Sequence, residues 1–208
     1  MDRKKCLNLV GMSELKYDLT KKPTRGAQRT LTAFSTTMYQ LLSQKAFEQI
    51  SVNEICELSN FPRATFYNYF DDKYDLVNYC WYILTQEIHL DDVKKITPDL
   101  NLTPKQALSI FFDRVYQLFT THSQLLTNIL KNNSLNSPMV LNFTDFVRAN
   151  MREIIHNCLD FSAVPVPLDL IADHYSNTVL LVLEWTFVRR ADVTLAEAHQ
   201  YLEYLLKY

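Results

Sequence analysis

Apolar residues recur at helical spacing along most of this chain. Leu31, Phe34, Met38 and Leu41 fall three or four apart and predict one buried stripe on a helix from about 24 to 45. Val52, Ile55 and Cys56 mark the inner face of a second helix. It opens at Ser51, where Ser51-Val52-Asn53-Glu54 has the spacing of a capping box. Asn60-Phe61-Pro62 breaks that helix, because proline disfavours helical geometry in the residue before it. Pro62 suits the first turn of a short third helix, about 62–70, which Phe66 and Phe70 would anchor. Asp71-Asp72 opens a fourth, about 72 to 89, with acidic side chains at its positive end. Tyr74, Val77, Trp81 and Leu84 lie along one side of it.

The pattern continues beyond residue 100. Thr103-Pro104-Lys105-Gln106 and Ser137-Pro138 are cap-and-proline starts, and they predict helices over about 104–131 and 138–160. The polar stretch KNNSLNS, 131–137, reads as the turn between them. Val164-Pro165-Val166-Pro167 is a stiff joint before a helix over 168–190. Its segment TVLLVLEW, 178–185, is apolar on nearly every side and is therefore predicted to be buried. Thr194-Leu195-Ala196-Glu197 is a further capping box, opening a last helix to about 207. No segment has a strand pattern and no repeat is present, so the fold class is all-α.

Composition narrows the chemistry. Hydrophobic residues make 48% and charged residues 21% of 208, the balance of a globular chain. The apolar runs fall far short of the roughly 18 residues that span a bilayer, and MDRKKCLNLV lacks the core of a secretory signal. No membrane and a cytoplasmic location are expected. Met12 serves equally well as a start, so the first eleven residues are expected to be dispensable. Gly11 and Gly26 are the two glycines, which excludes glycine-rich phosphate loops. Cys6, Cys56, Cys80 and Cys158 form no CxxC pair, so neither a zinc site nor a disulfide framework is expected. His89 with Asp91 and Asp92 has no further ligand at fixed spacing, and no metal or cofactor is expected.

The net charge of −2 and a pI near 6.2 do not describe a nonspecific nucleic-acid coat. The charge is uneven. Residues 1–30 hold eight basic and three acidic side chains, residues 31–90 three and seven. The basic surplus, through Lys16, Lys21, Lys22, Arg25 and Arg29, sits in an arm that can lie along phosphates or simply stay solvated.

A helix of about eight residues, a break of three and a second short helix is the layout of a helix-turn-helix. The second helix must be pinned on one side and offer small or polar groups to a major groove on the other. Phe66 and Phe70 pin. Arg63, Ala64, Tyr67 and Asn68 share the other face, and Arg63 can read a guanine through two hydrogen bonds. Tyr67 and Tyr69 can reach phosphates through their hydroxyls, and Lys73 is placed to touch the backbone as well.

The run Ile55–Leu76, ICELSNFPRATFYNYFDDKYDL, resembles the DNA-binding domain of the TetR (tetracycline repressor) family. That family follows its second helix with a turn, a basic or polar residue, a small residue, Ser or Thr, an apolar residue and Tyr. Any residue, then His or Tyr, Phe, two variable positions and Lys complete the pattern. Arg63, Ala64, Thr65, Phe66, Tyr67, Asn68, Tyr69, Phe70 and Lys73 occupy those positions in order. The resemblance covers about 24–80. Asn60 stands where glycine is common, Pro62 where Ser or Thr often caps the helix, and Tyr69 replaces the usual histidine.

The resemblance implies an N-terminal three-helix helix-turn-helix DNA-binding domain, 23–72, after a flexible basic arm, 1–22. A larger helical ligand-binding and dimerisation domain, 73–208, would follow. Double-stranded DNA with a palindromic operator is the implied partner, with contacts from Arg25, Arg29, Ser51, Pro62, Arg63, Ala64, Thr65, Tyr67, Asn68, Tyr69 and Lys73. Candidate residues for a small-molecule ligand are Phe111, Tyr116, Phe119, His122, Phe146, Tyr175 and Trp185, and ordinary core packing explains any one of them as well. A homodimer through the last two helices is expected, because Leu180, Leu183, Leu202 and Leu205 exceed what one partner helix covers. The leading reading is a ligand-released repressor. An interaction module that has lost operator binding and an all-helical enzyme are the alternatives, although no catalytic spacing stands out.

Overall fold

The computed structural model describes residues 15–87, 104–134, 136–158, 165–189 and 192–206. None of them is in a strand. Nine α-helices follow one another among them: α1 Arg25–Leu42, α2 Val52–Ser59, α3 Arg63–Tyr69, α4 Lys73–Glu87, α5 Pro104–Thr121, α6 Ser123–Asn132, α7 Pro138–Cys158, α8 Leu168–Glu184 and α9 Leu195–Leu205. No described helix is long and apolar enough to cross a membrane. The readings placed on the first eleven residues, on Thr103 and on the His89–Asp92 cluster lie outside the described residues.

Packing divides the chain into two compact units. Of the described residues, the first holds 15–84 with 124–141, and the second 85–123 with 142–206. Residues 124–141, read from the sequence as part of the C-terminal domain, thus pack with the N-terminal one.

The first unit is built on Phe34 of α1. Its ring lies 5.5 Å from Phe61, 5.4 Å from Phe66 and 6.1 Å from Phe70, so one residue gathers the turn, the middle of α3 and its C-cap. Phe34, Phe66 and Phe70 are fully buried, each stabilising by about 2–3 kcal/mol. The α1 stripe is the expected one, with Leu31, Met38 and Leu41 also buried. Two asparagines of the supposed polar turn complete this unit. Asn133 accepts the Phe47 backbone N–H at 2.8 Å, and Asn132 donates to the Ser43 carbonyl at 3.1 Å. They satisfy backbone groups of the α1–α2 connection, a 3₁₀ turn at Phe47–Gln49.

The Ser51 box is half made. Ser51 Oγ accepts the Glu54 N–H at 3.2 Å, but the Glu54 carboxylate turns to Lys45, with both oxygens 2.6 Å from Nζ. The ammonium, a charged donor on both oxygens, takes the place of the uncharged Ser51 N–H. Asn60 ends α2 at φ 59°, the left-handed geometry that asparagine tolerates. Pro62 is the N-cap of α3 and not its first helical residue, and its carbonyl accepts from Thr65 and Phe66.

In the second unit α9 packs on α8, and both meet α5. Helices α7 and α8 are joined by three rungs. Arg148 bonds Asn177, Arg152 bonds Asp173 and His156 bonds Asp169. Steps of four along α7 meet steps of four backwards along α8, the register of an antiparallel pair. Thr194 and Glu197 form a complete capping box at the start of α9.

Three expectations need correction. The single helix over 104–131 is two, broken at His122, whose ring nitrogen is held by Glu87 at 2.6 Å. The break coincides with the change of packing unit. The helix over 168–190 is α-helical only to Glu184 and then makes a π turn, Trp185–Arg189. Nor is 178–185 buried all round: Leu181 is 50% and Trp185 42% exposed.

Candidate nucleic-acid interface

Helix α3 has seven residues, too few to be stable in isolation. Phe66 and Phe70 hold it against α1, and that choice dictates its outer face. Arg63, Ala64, Tyr67 and Asn68 are exposed, whereas Thr65 and Tyr69 are half-buried. The Tyr69 ring lies 5.8 Å from Tyr17, so its body packs instead of projecting.

Arg63 is held in place. Nη1 donates to Asn53 Oδ1 of α2 at 2.6 Å, Nη2 donates to the Tyr67 hydroxyl at 3.2 Å, and the guanidinium sits 5.7 Å from the Tyr67 ring. A planar fork presented in this way can address a base edge through two donors. Asn53 was read in the sequence only as part of a cap. Its signal is weak, because nothing in local spacing reveals that α2 lies beside α3.

Lys73 differs from its expected role. Its ammonium donates to the carbonyls of Phe47 at 2.9 Å, Glu48 at 3.2 Å and Ile50 at 2.9 Å, and lies 4.6 Å from the Phe47 ring. An ammonium has three donors, and all three are committed to the connection before α2. Burial pushes its pKa down, with Glu48 and Asp72 opposing. In this geometry Lys73 ties α4 to that connection and has no donor left for a phosphate.

The basic groups sort likewise. Lys21 pairs with Asp18 at 2.9 Å, and Lys16 pairs with Asp71 at 3.0 Å. Arg25 and Arg29 are exposed at the start of α1 and line shallow grooves with Lys22, Gln28 and Phe61. Ser51 Oγ is engaged as the cap of α2. The exposed polar groups of α3 and the arginines of α1 are the set best placed for a duplex.

The candidate ligand residues separate. Phe111, Tyr116, Phe119 and Phe146 are buried. Phe187 of the π turn packs 4.9 Å from Tyr116 and 5.0 Å from Phe119, so rings fill the space between rings. Tyr116 also donates to the Val193 carbonyl at 3.1 Å. His122 is engaged by Glu87, and Trp185 faces outward. Tyr175 does line a cavity of about 290 Å³, with Gln106, Leu108, Ser109, His199, Leu202, Glu203 and Leu206. Among the described residues no group of three or more His, Cys, Asp or Glu could hold a metal ion.

The expected dimer surface also needs a partial correction. Leu183 and Leu202 are buried within their own unit and Leu180 is half-buried. Leu205, of the expected set, is exposed, as are Leu181, Trp185, Val188, Tyr201 and Tyr204. Five of these, all but Val188, line an apolar recess of about 480 Å³ with Val182.

Residues 39–80 match the family described as "Bacterial regulatory proteins, tetR family". A TetR transcriptional regulator from Streptococcus agalactiae 2603V has a similar solved structure, with a TM-score of 0.54 and 20% identity over 88% of this chain and 94% of that one. No curated protein matches the chain.

Proposed function

We propose that this chain, whose residues 39–80 match the TetR family of bacterial regulatory proteins, is a member of that family and a homodimeric repressor of a palindromic operator. The match over residues 39–80 supports DNA-binding regulation, and repression, dimerisation and release go beyond it. The observation that carries it is the α3 face. A helix pinned by Phe66 and Phe70 leaves Arg63, Ala64, Tyr67 and Asn68 outward, small and hydrogen-bonding groups where base edges would lie. Arg25 and Arg29 supply phosphate contacts that position the duplex.

The apolar recess on α8 and α9 supports self-association. Such a patch on a regulator with one small reading head favours pairing two heads on one site. The cavity beside Tyr175 supports a small, partly apolar ligand: leucines line one part of it, and Ser109, His199 and Glu203 offer polar contacts. A ligand releases DNA only through a difference in affinity for the two states. The protein would act in the cytoplasm, where bacterial DNA lies.

The test is a gel shift with DNA flanking the protein's own gene. A shift at low salt that survives competitor DNA is the expected result. Absence of any shift would reject operator binding and favour an interaction module on the same fold.

A further inference from the structure

We propose that Lys16 and Tyr17 are positioning residues for operator recognition, strapping the C-terminal end of α3 onto α4. The inference rests on α3 being the reading helix, but the strap itself is a feature of the free protein.

The last four carbonyls of a helix have no partner within it. In α3 the Phe66 carbonyl accepts from the Phe70 N–H at 2.9 Å. The Tyr67 carbonyl accepts from Lys16 Nζ at 2.7 Å, across 51 residues of sequence. A cation at that end also complements the helix dipole. The same ammonium reaches Asp71 Oδ1 at 3.0 Å, in the corner between α3 and α4. The Lys16 backbone N–H points at Asp75 Oδ2 of α4, 3.4 Å away. Beside it, the Tyr17 ring lies 5.8 Å from Tyr69 and 6.1 Å from Tyr79. One dipeptide therefore touches the last turn of α3, the corner and the first two turns of α4.

Asp75 shows how closely the strap is fitted. It is 7% exposed; Oδ2 takes the Asp71 and Lys16 N–H groups, and Oδ1 is buried without a hydrogen-bond partner. A buried carboxylate accepts such a position where surrounding packing holds it.

The position matters because Tyr67 and Asn68 stand in the same last turn. If that turn frays, both lose their angle to the groove, while Arg63 at the other end keeps its bond to Asn53 and loses the one to the Tyr67 hydroxyl. A lysine bound to a carbonyl and a lysine bound to phosphate also behave differently. The second adds about 0.9 to the slope of log affinity against log salt. The first adds none, and its loss weakens sequence preference.

The experiment uses the full chain and the variants Lys16→Met, Tyr17→Ala, Lys16→Arg and Tyr17→Phe. Amide hydrogen exchange is followed in the free protein, with α1 as internal control. The Tyr69 and Phe70 amides should exchange about tenfold faster in Lys16→Met and Tyr17→Ala than in the parent, with α1 protection unchanged. Arg and Phe at these positions should restore parental exchange. Operator affinity should fall about three- to tenfold in the first pair, preference over random DNA should narrow, and the salt slope should stay the same. Unchanged α3 exchange overturns the strap whether or not DNA binds. Faster exchange with no shift by the parent protein leaves the strap standing and removes the repressor reading. Equal weakening on all sequences with a flatter salt slope would make Lys16 a phosphate contact and reject positioning.

Discussion

Arg63 and Lys73 are both cations near the candidate interface, yet their surroundings differ. The Arg63 guanidinium is exposed and aimed by Asn53 and Tyr67. Replacing it with Ala should cost about 1–3 kcal/mol of operator binding and relax preference at one base position, measured by competition with singly substituted operators. Lys73 is tied to three carbonyls. Lys73→Met should lower unfolding stability by about 1–2 kcal/mol in urea and leave the salt slope of DNA binding unchanged. Asp75 gives a prediction with a sign. Burial raises its pKa, with Asp71 and Asp72 adding to that and the Asp71 and Lys16 N–H groups opposing. The stabilisation carried by a raised carboxyl is fully present below the ordinary carboxylate range and is lost as pH rises through the raised value. Asp75→Asn removes that titration. Its stability relative to the parent should therefore improve as pH rises above the ordinary carboxylate range, seen as diverging urea midpoints. Parallel curves would mean Asp75 does not titrate abnormally. The shared exposed face of Arg63 and its neighbours was legible in the sequence, because their spacing on a short helix is local. The sequence could not show the carbonyl partners of Lys73, because a lysine facing phosphate and one facing carbonyls look alike until the chain is folded.

Among elements, the ones with complete local signals came out closest to their sequence reading. Thr194 to Glu197 has everything a helix start needs within four residues, and the box closes at 2.9 Å from the Thr194 N–H to the Glu197 carboxylate. Those hydrogen bonds hold the Glu197 carboxyl below its usual range. Thr194→Ala should cost about 1 kcal/mol, and it should loosen α9 first, detectable as faster exchange from 195 to 198. Ser51 to Glu54 has the same four-residue spelling but only half the bonds, because Lys45 lies close enough to take the carboxylate. The two boxes differ by a neighbour, which spacing cannot report. The same holds for the stretch at 131–137. Its polarity reads as solvent-facing turn, yet Asn133 is 2% exposed, since its amide is needed by the Phe47 backbone.

For the whole molecule, the apolar recess of α8 and α9 leads to a prediction about assembly. Leu181, Trp185, Tyr201, Tyr204 and Leu205 are too many exposed apolar groups in one place to be incidental. Sedimentation should give a dimer at micromolar concentration. Leu181→Glu with Tyr204→Glu should give a folded monomer, as a charge in each copy's contact is uncompensated at the twofold axis. A parent chain that sediments as a monomer would rule this out. The sequence by itself determined the all-helical class, the order of elements and the short helix proposed to read DNA. Those depend on periodicity, caps and one compact motif, all interactions within a few residues. Tertiary structure alone decided which apolar residues stayed outside. Leu183 and Leu202 look no different in sequence from Leu181 and Leu205, but a helix packed on two neighbours buries one arc and exposes the rest. It also decided that Asn53, Lys16 and Tyr17 stand beside α3. Those contacts join residues 10 to 52 apart, and only the folded chain pays the entropy of bringing them together.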